Sequence, residues 1–315
     1  MTAPAAGKFG VGRSGTGRPR HFLLSSWYLV VRLFWGATVN PVRNRRRDFG
    51  ALGQQIVVQA RHLDGWLADL EPSRWTVPSG LDGWRVADLV GHLVTVQRTV
   101  AQTLRAAPPE PPTVPLAVGG YLAGLGPAAG AIRERDRAGD RGPAELLEEF
   151  RAASTQAAAA LTGTPDGFDR AGGSDPSTRV VAAPRGPLRA GDFLATRVLE
   201  LVVHADDLGR SVPEVSPPEL EPAALRTAVR LLVDLLAANA PGRSVELRVP
   251  PHAAVQAVPG PRHTRGTPPN VVEADPLTWL RLATGRLGWA EAVAGGGVQA
   301  SGDRSDLSAL LPLLC

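Results

Sequence analysis

The chain has 315 residues, 20% of them charged and 43% hydrophobic, so most of it reads as globular and long enough for more than one core. Its single cysteine, Cys315, excludes an intrachain disulfide and any cysteine-built zinc site, and it fits a reducing, cytoplasmic compartment. The pI of about 10.1 accompanies a net charge of only +4, with Lys8 the sole lysine, so arginine's high pKa lifts the pI. With no helix-turn-helix, zinc finger or regular stacking aromatics, no nucleic-acid partner is expected.

Residues 1–47 read as a segment of their own. Residues 1–20 are Gly-rich and basic, a composition of disorder. Phe22 to Val39 is rich in Leu, Val, Trp, Tyr and Phe, with Arg18, Arg20 and His21 before it and Arg43, Arg45, Arg46 and Arg47 after it. Three readings stand. In one the start codon is misassigned and translation begins at a valine codon, Val39 or Val42, because Met1 is the only methionine. In the second, residues 22–47 touch a membrane surface through the arginine cluster. In the third the run spans a membrane, against which Arg32 stands at its middle. A cleaved signal peptide fits poorly, for want of a small-residue cleavage site.

Residues 48–212 pattern as a helical bundle. Leu52, Ile56, Ala60, Leu63, Leu67 and Leu70 recur at helical spacing, predicting a helix over 52–70. A turn with Pro72, Pro78 and Gly80 follows. A second helix is expected from Val86 to Leu104, capped by Asp82 or Gly83. Pro108 to Pro115 is a break, and Tyr121 to Arg137 is a weaker helix. Pro143 to Leu161 is a strong one, with Glu145, Glu148 and Glu149 near its positive end. Gly163 to Arg189 reads as a long polar loop, and Ala190 to Leu208 as the last helix of the bundle.

Glu200 and His204, four residues apart in an apolar helical run, share one helix face. His92 sits in a similar run. If the two helices pack together, two imidazoles and one carboxylate converge on one divalent metal and leave its fourth position open, as in a catalytic zinc site. Two His and one carboxylate also suit iron. Glu200 alone could equally pair with Arg197, and Asp206 or Asp207 could orient a ligand imidazole or simply be solvated. His252 and His263 have no carboxylate at ligand spacing.

Residues 213–222 read as a proline-rich linker and 223–315 as an α+β module. A helix is expected at 223–239, strands at 244–249, 253–258, 271–274 and 298–301, and helices at about 276–285 and 303–314. The loop Gly260 to Asn270 carries Arg262, His263 and Arg265, either an anion contact or a rigid packing loop.

The tract Trp75, Pro78, Leu81-Asp82-Gly83-Trp84, Asp88-Leu89, His92-Leu93, followed by Arg197, Glu200, His204 and Asp207, resembles the mycothiol-dependent maleylpyruvate isomerase N-terminal domain, one of the DinB-like four-helix metal bundles. The stretches Val245 to Pro251, Gly260 to Asn270, Asp275 to Leu280, Gly285-Arg286 and Ser301-Gly302-Asp303 resemble the bacterial sterol-carrier-protein-like domain. The first resemblance implies His92, Glu200 and His204 as ligands of a divalent metal, zinc by preference, and mycothiol as the low-molecular-weight thiol cofactor. The activity implied is isomerisation or thiol transfer on a small electrophilic or unsaturated substrate. The second implies an apolar or acyl ligand, and with it the alternative of a non-catalytic binding protein whose metal is structural.

Overall fold

The structure, a computed structural model, describes residues 47–111, 113–163, 175–260 and 269–314. The segment on which the start-site and membrane readings fall lies outside the described residues, as does His263. No helix among the described residues is long and apolar enough to cross a membrane.

Four long helices form the bundle. α1 (Phe49–Asp69) starts where the Asp48 carboxylate accepts from the Ala51 amide at 3.0 Å. Its Leu52, Ile56, Ala60, Leu63 and Leu67 stripe is buried. α2 (Val86–Arg105) carries His92 and is buried around most of its first three turns. The next two helices replace the single one expected over 121–137. α3 (Val118–Ala123) and α4 (Leu125–Arg135) meet at Gly124, because Pro127 has no N–H to offer the Ala123 carbonyl and the helix must restart. α5 (Pro143–Thr162) faces α2 with Ala153, Ala157 and Ala160, small side chains that allow close approach. The long loop expected over 163–189 holds a hairpin instead. β1 (Val180–Ala183) pairs antiparallel with β2 (Gly186–Arg189), and Gly186 closes the turn at φ 126°, a backbone only glycine adopts readily. α6 (Ala190–Ser211) runs through the middle and packs on α1 and α2.

The start of α2 corrects a second expectation. The cap is Arg85 rather than Asp82 or Gly83, and Asp88 reaches back to the Arg85 amide at 2.8 Å. The other Asp88 oxygen accepts from the buried Ala138 amide at 2.8 Å. Burial raises the Asp88 pKa, but the Arg85 and Ala138 hydrogen bonds outweigh it and leave the pKa below 3.8. A group depressed in the folded state stabilises above its unfolded pKa and loses that contribution as pH falls through the folded one. Asp88→Ala is therefore expected to cost about 1–3 kcal/mol at neutral pH by orphaning two amides. The deficit should shrink on acidification, as read in denaturant melts at pH 7 and pH 3.

The second half begins with α7 (Pro222–Asn239), capped by Glu221 and led by a proline at its first position. Its buried Ala228, Leu231, Leu232, Leu235 and Leu236 pack toward α6 and the sheet. The four-stranded sheet has the order β4-β3-β5-β6. β3 (Val245–Val249) and β4 (Ala253–Ala257) are an antiparallel hairpin, β5 (Val271–Ala274) runs parallel to β3, and β6 (Val298–Ser301) is antiparallel to β5. Val245, Leu247 and Val249 alternate inward as a one-sided sheet requires. α8 (Pro276–Ala283) packs on α7, and a short helix, α9 (Trp289–Ala294), follows. The helix expected over 303–314 is not formed beyond a single turn at Ser308–Leu310. The chain instead returns to α8, where the Leu313 and Leu314 amides donate to the Ala283 carbonyl at 2.8 and 3.2 Å. Pro312, which has no N–H, suits that extended path.

Proline-rich residues 213–222 are fastened down. The Trp66 indole donates to the Ser216 carbonyl at 2.7 Å, and Gln59 bonds both the Glu219 carbonyl and the Glu221 amide, at 3.0 and 2.9 Å.

Candidate metal centre

His92 projects from the second turn of α2, and Glu200 and His204 project from one face of α6. His92 Nε2 lies 3.2 Å and His204 Nε2 3.3 Å from the same Glu200 oxygen, Oε2. The two rings stand nearly perpendicular, their centroids 4.9 Å apart. One ligand atom from each residue lies within 4.8 Å of the other two. Ligands held at about 2.0–2.1 Å in a tetrahedron stand roughly 3.3 Å apart, close to the two histidine–glutamate separations, so this donor set suits a divalent metal ion. Sequence reasoning named these three residues, and the fold brings all three together.

Each imidazole is held from behind. His92 Nδ1 donates to Asp136 Oδ2 at 2.8 Å, and His204 Nδ1 to Asp207 Oδ2 at 2.9 Å. Both rings are thereby fixed with Nε2 toward the centre, the arrangement that orients metal-binding histidines. Asp136 is itself clamped by Arg135, whose Nε and Nη2 donate at 2.7 Å each, and by the Thr95 hydroxyl at 2.9 Å. Asp207 accepts from Arg286 Nη2 at 2.9 Å and Nε at 3.2 Å, and from Arg210. Of the two aspartates considered for the orienting role, Asp207 takes it; Asp206 pairs instead with Arg210 and Arg281.

The electrostatics follow. Burial opposes ionisation of Asp136, yet Arg135 and His92 hold its pKa down to about 2. Asp207 is held low in the same way by His204 and Arg286. Burial works against the Glu200 carboxylate as well, but Arg197 and the two imidazoles keep it ionised well below its ordinary range. The Arg197–Glu200 contact expected from the sequence is present at 3.4 Å, on the oxygen that does not face the imidazoles. Burial lowers the His92 pKa, and its bonds to Asp136 and Glu200 more than restore it, above 6.5.

Asp136 was not visible as a site residue in the sequence, where it sits in a run of charges at 133–137 that reads as a solvated face. Arg286 was quoted only as part of a resemblance. The close approach of the Asp136 backbone is allowed by Gly91, beside His92, since a Cβ there would meet the Asp136 carbonyl oxygen at 2.5 Å. His62 contacts the Glu219 carbonyl at 3.2 Å instead.

The centre forms part of the wall of a cavity of about 500 Å³. α3, α4, α6 and the turn before α2 line it, with Trp84 tilted against His92 at 5.6 Å. Thr284, Gly285, Arg286 and Leu314 bring the C-terminal module to the same cavity.

A bundle carrying two histidines and a glutamate on its inner helices, joined to a small sheet-containing module, is a DinB-like fold followed by a sterol-carrier-like domain. Residues 58–209 match the family model of the mycothiol maleylpyruvate isomerase N-terminal domain, and residues 221–313 match that of the bacterial SCP ortholog. The chain thus joins a mycothiol maleylpyruvate isomerase N-terminal domain to a bacterial SCP domain. Two similar solved structures are the crystal structure of the mycothiol-dependent maleylpyruvate isomerase and that of a histidine-to-alanine mutant, with TM-scores of 0.54 and 0.55. Each is 17% identical and covers 82% of this chain and 94% of its own, a likeness of fold. No curated protein sequence matches this chain significantly.

Proposed function

We propose that His92, Glu200 and His204 hold a divalent metal, zinc by preference. With it the protein uses a low-molecular-weight thiol of the mycothiol type to isomerise, or to transfer sulfur to, a small electrophilic or unsaturated substrate. The observation that carries this reading is the pair of imidazoles, each aimed by its own buried aspartate at one Glu200 oxygen beside an open cavity. A metal with three protein ligands and a free position would supply Lewis acidity, binding a thiol sulfur and lowering its pKa. The chain's own part is positional. Asp136 and Asp207 fix the imidazole tautomers, Arg197 holds the free oxygen of Glu200, and Trp84 packs against the His92 ring. In this reading residues 48–212 are the metal-binding unit and 223–315 the module that completes its cavity.

Metal content of the full chain, purified without a histidine tag, tests the reading. Wild type should carry about one zinc per chain, as a three-ligand catalytic site does. His204→Ala should carry none while keeping wild-type circular dichroism. A well-folded wild type that takes up no metal even when zinc is supplied overturns the proposal.

A further inference from the structure

We infer that the electrophile this cavity takes is uncharged and apolar, an alkyl or aryl compound rather than a carboxylate; the inference rests on the thiol-chemistry reading above. The apolar walls of the cavity that holds the three donor residues include Leu122, Leu125 and Ile132 from α3 and α4, Leu199 and Val203 from α6, and Leu314 from the C-terminal module. The buried ionic groups on the lining are already engaged. Glu200 faces two imidazoles and Arg197. Arg286 gives Nε and Nη2 to Asp207 and Nη1 to the Thr284 carbonyl at 2.7 Å. The other ionic side chains on the lining, Asp82 and Arg133, are exposed and of opposite sign.

A carboxylate entering here would give up its hydration with no uncommitted buried cation on the lining to receive it, a cost of several kcal/mol. Arg185, whose buried Nη2 has no partner among the described residues, lies over the Tyr121 ring and does not line the cavity. In the thiol-chemistry reading the open position of a metal on His92, Glu200 and His204 would be taken by the sulfur, not by a carboxylate. An apolar body gains about 25 cal/mol for each Å² it removes from water. Trp84 adds a flat face beside His92, which favours an aryl group. The volume lies within the range of small-molecule sites, enough for the reacting ends of thiol and electrophile together. The chemistry balances with the thiol as the only co-reactant. Sulfur forms a bond to the electrophilic carbon. The displaced electron pair leaves with a leaving group, or passes to the neighbouring carbon, and takes up the proton the thiol gave up.

Two probes of nearly one shape separate the classes: benzylideneacetone, an uncharged aryl enone, and cinnamate, its carboxylate counterpart. Their binding to the full-length, metal-free protein is measured by calorimetry, so the result does not depend on whether the metal reading survives. Benzylideneacetone is expected to bind at least about tenfold more tightly, equivalent to roughly 1.4 kcal/mol. Leu125→Arg, which puts a cation on the wall, should narrow or reverse that preference. Ala129→Arg, at an exposed position of the same wall, serves if the first variant loses its fold. Equal affinities, tighter cinnamate binding, or no binding of either probe overturns the inference. Metal content decides the thiol-chemistry reading separately.

Discussion

Asp207→Ala should weaken zinc binding by about 10–100-fold, the usual effect of removing the group behind a ligand histidine. It should also lower folding stability by about 3 kcal/mol, the lower end of the range for breaking a buried charge network. Asp207 is fully buried and accepts from His204, Arg286 and Arg210 together. Without it the His204 ring loses the partner that holds Nδ1, and Nε2 is no longer fixed toward Glu200. Arg286 would keep only the Thr284 carbonyl, while Arg210 would keep Asp206. Those remaining partners are the reason for choosing the lower end of the range. Asp207→Asn keeps an oxygen for the His204 N–H but removes the charge, so it should fall between wild type and Ala in both measurements. Chelator competition reads the affinity and urea melts of the metal-free protein read the stability. An Ala variant that binds zinc like wild type would show that the His204 ring needs no support.

The two halves of this site differ in how far they can be read without coordinates. Glu200 and His204 lie one helical turn apart, so their common face follows from helix geometry alone. His92 is 108 residues from Glu200, and only packing of α2 on α6, or resemblance to a known bundle, joins them. Asp136 is 44 residues from His92 and Arg286 is 79 from Asp207. Neither has a local periodicity to betray it, because an aspartate among arginines and an arginine after a helix end look like ordinary surface. The same limit appears in the fold. Long amphipathic helices such as α1 and α5 are strongly periodic and were placed within a few residues. The β1–β2 hairpin was missed because Pro184, Gly186 and Pro187 make its sequence look like a loop. The stretch at 303–314 has helix-like leucines, yet its backbone donors find the Ala283 carbonyl instead of their own turn. Where the backbone hydrogen bonds go is settled by tertiary contact, which propensity cannot foresee.

The described chain should unfold in a single cooperative transition although it carries two domain types. Flexible joints between domains have few contacts across them, and here the joint is crossed by packing, hydrogen bonds and ion pairs. α7 buries one face toward α6. Gln59 and Trp66 of α1 tie down the residues between the modules through 2.7–3.0 Å hydrogen bonds. Arg281 and Arg286 neutralise Asp206 and Asp207, two buried carboxylates of α6. Releasing the C-terminal module would expose the inner face of α7 and strip Asp206 and Asp207 of half their cations, so partial opening gains little chain entropy for what it loses. Calorimetry should therefore give a ratio of calorimetric to van't Hoff enthalpy near one. Arg281→Ala combined with Arg286→Ala should lower the whole transition by about 2–4 °C for each kcal/mol lost. Both arginines are partly exposed, so the combined loss is about 1–3 kcal/mol after solvent screening. Two resolved transitions, with the double variant moving only the later or the earlier one, would mean that the modules are independent. One transition would mean that the two modules unfold as a unit, with Arg286 on Asp207 tying the C-terminal module to the carboxylate that holds His204.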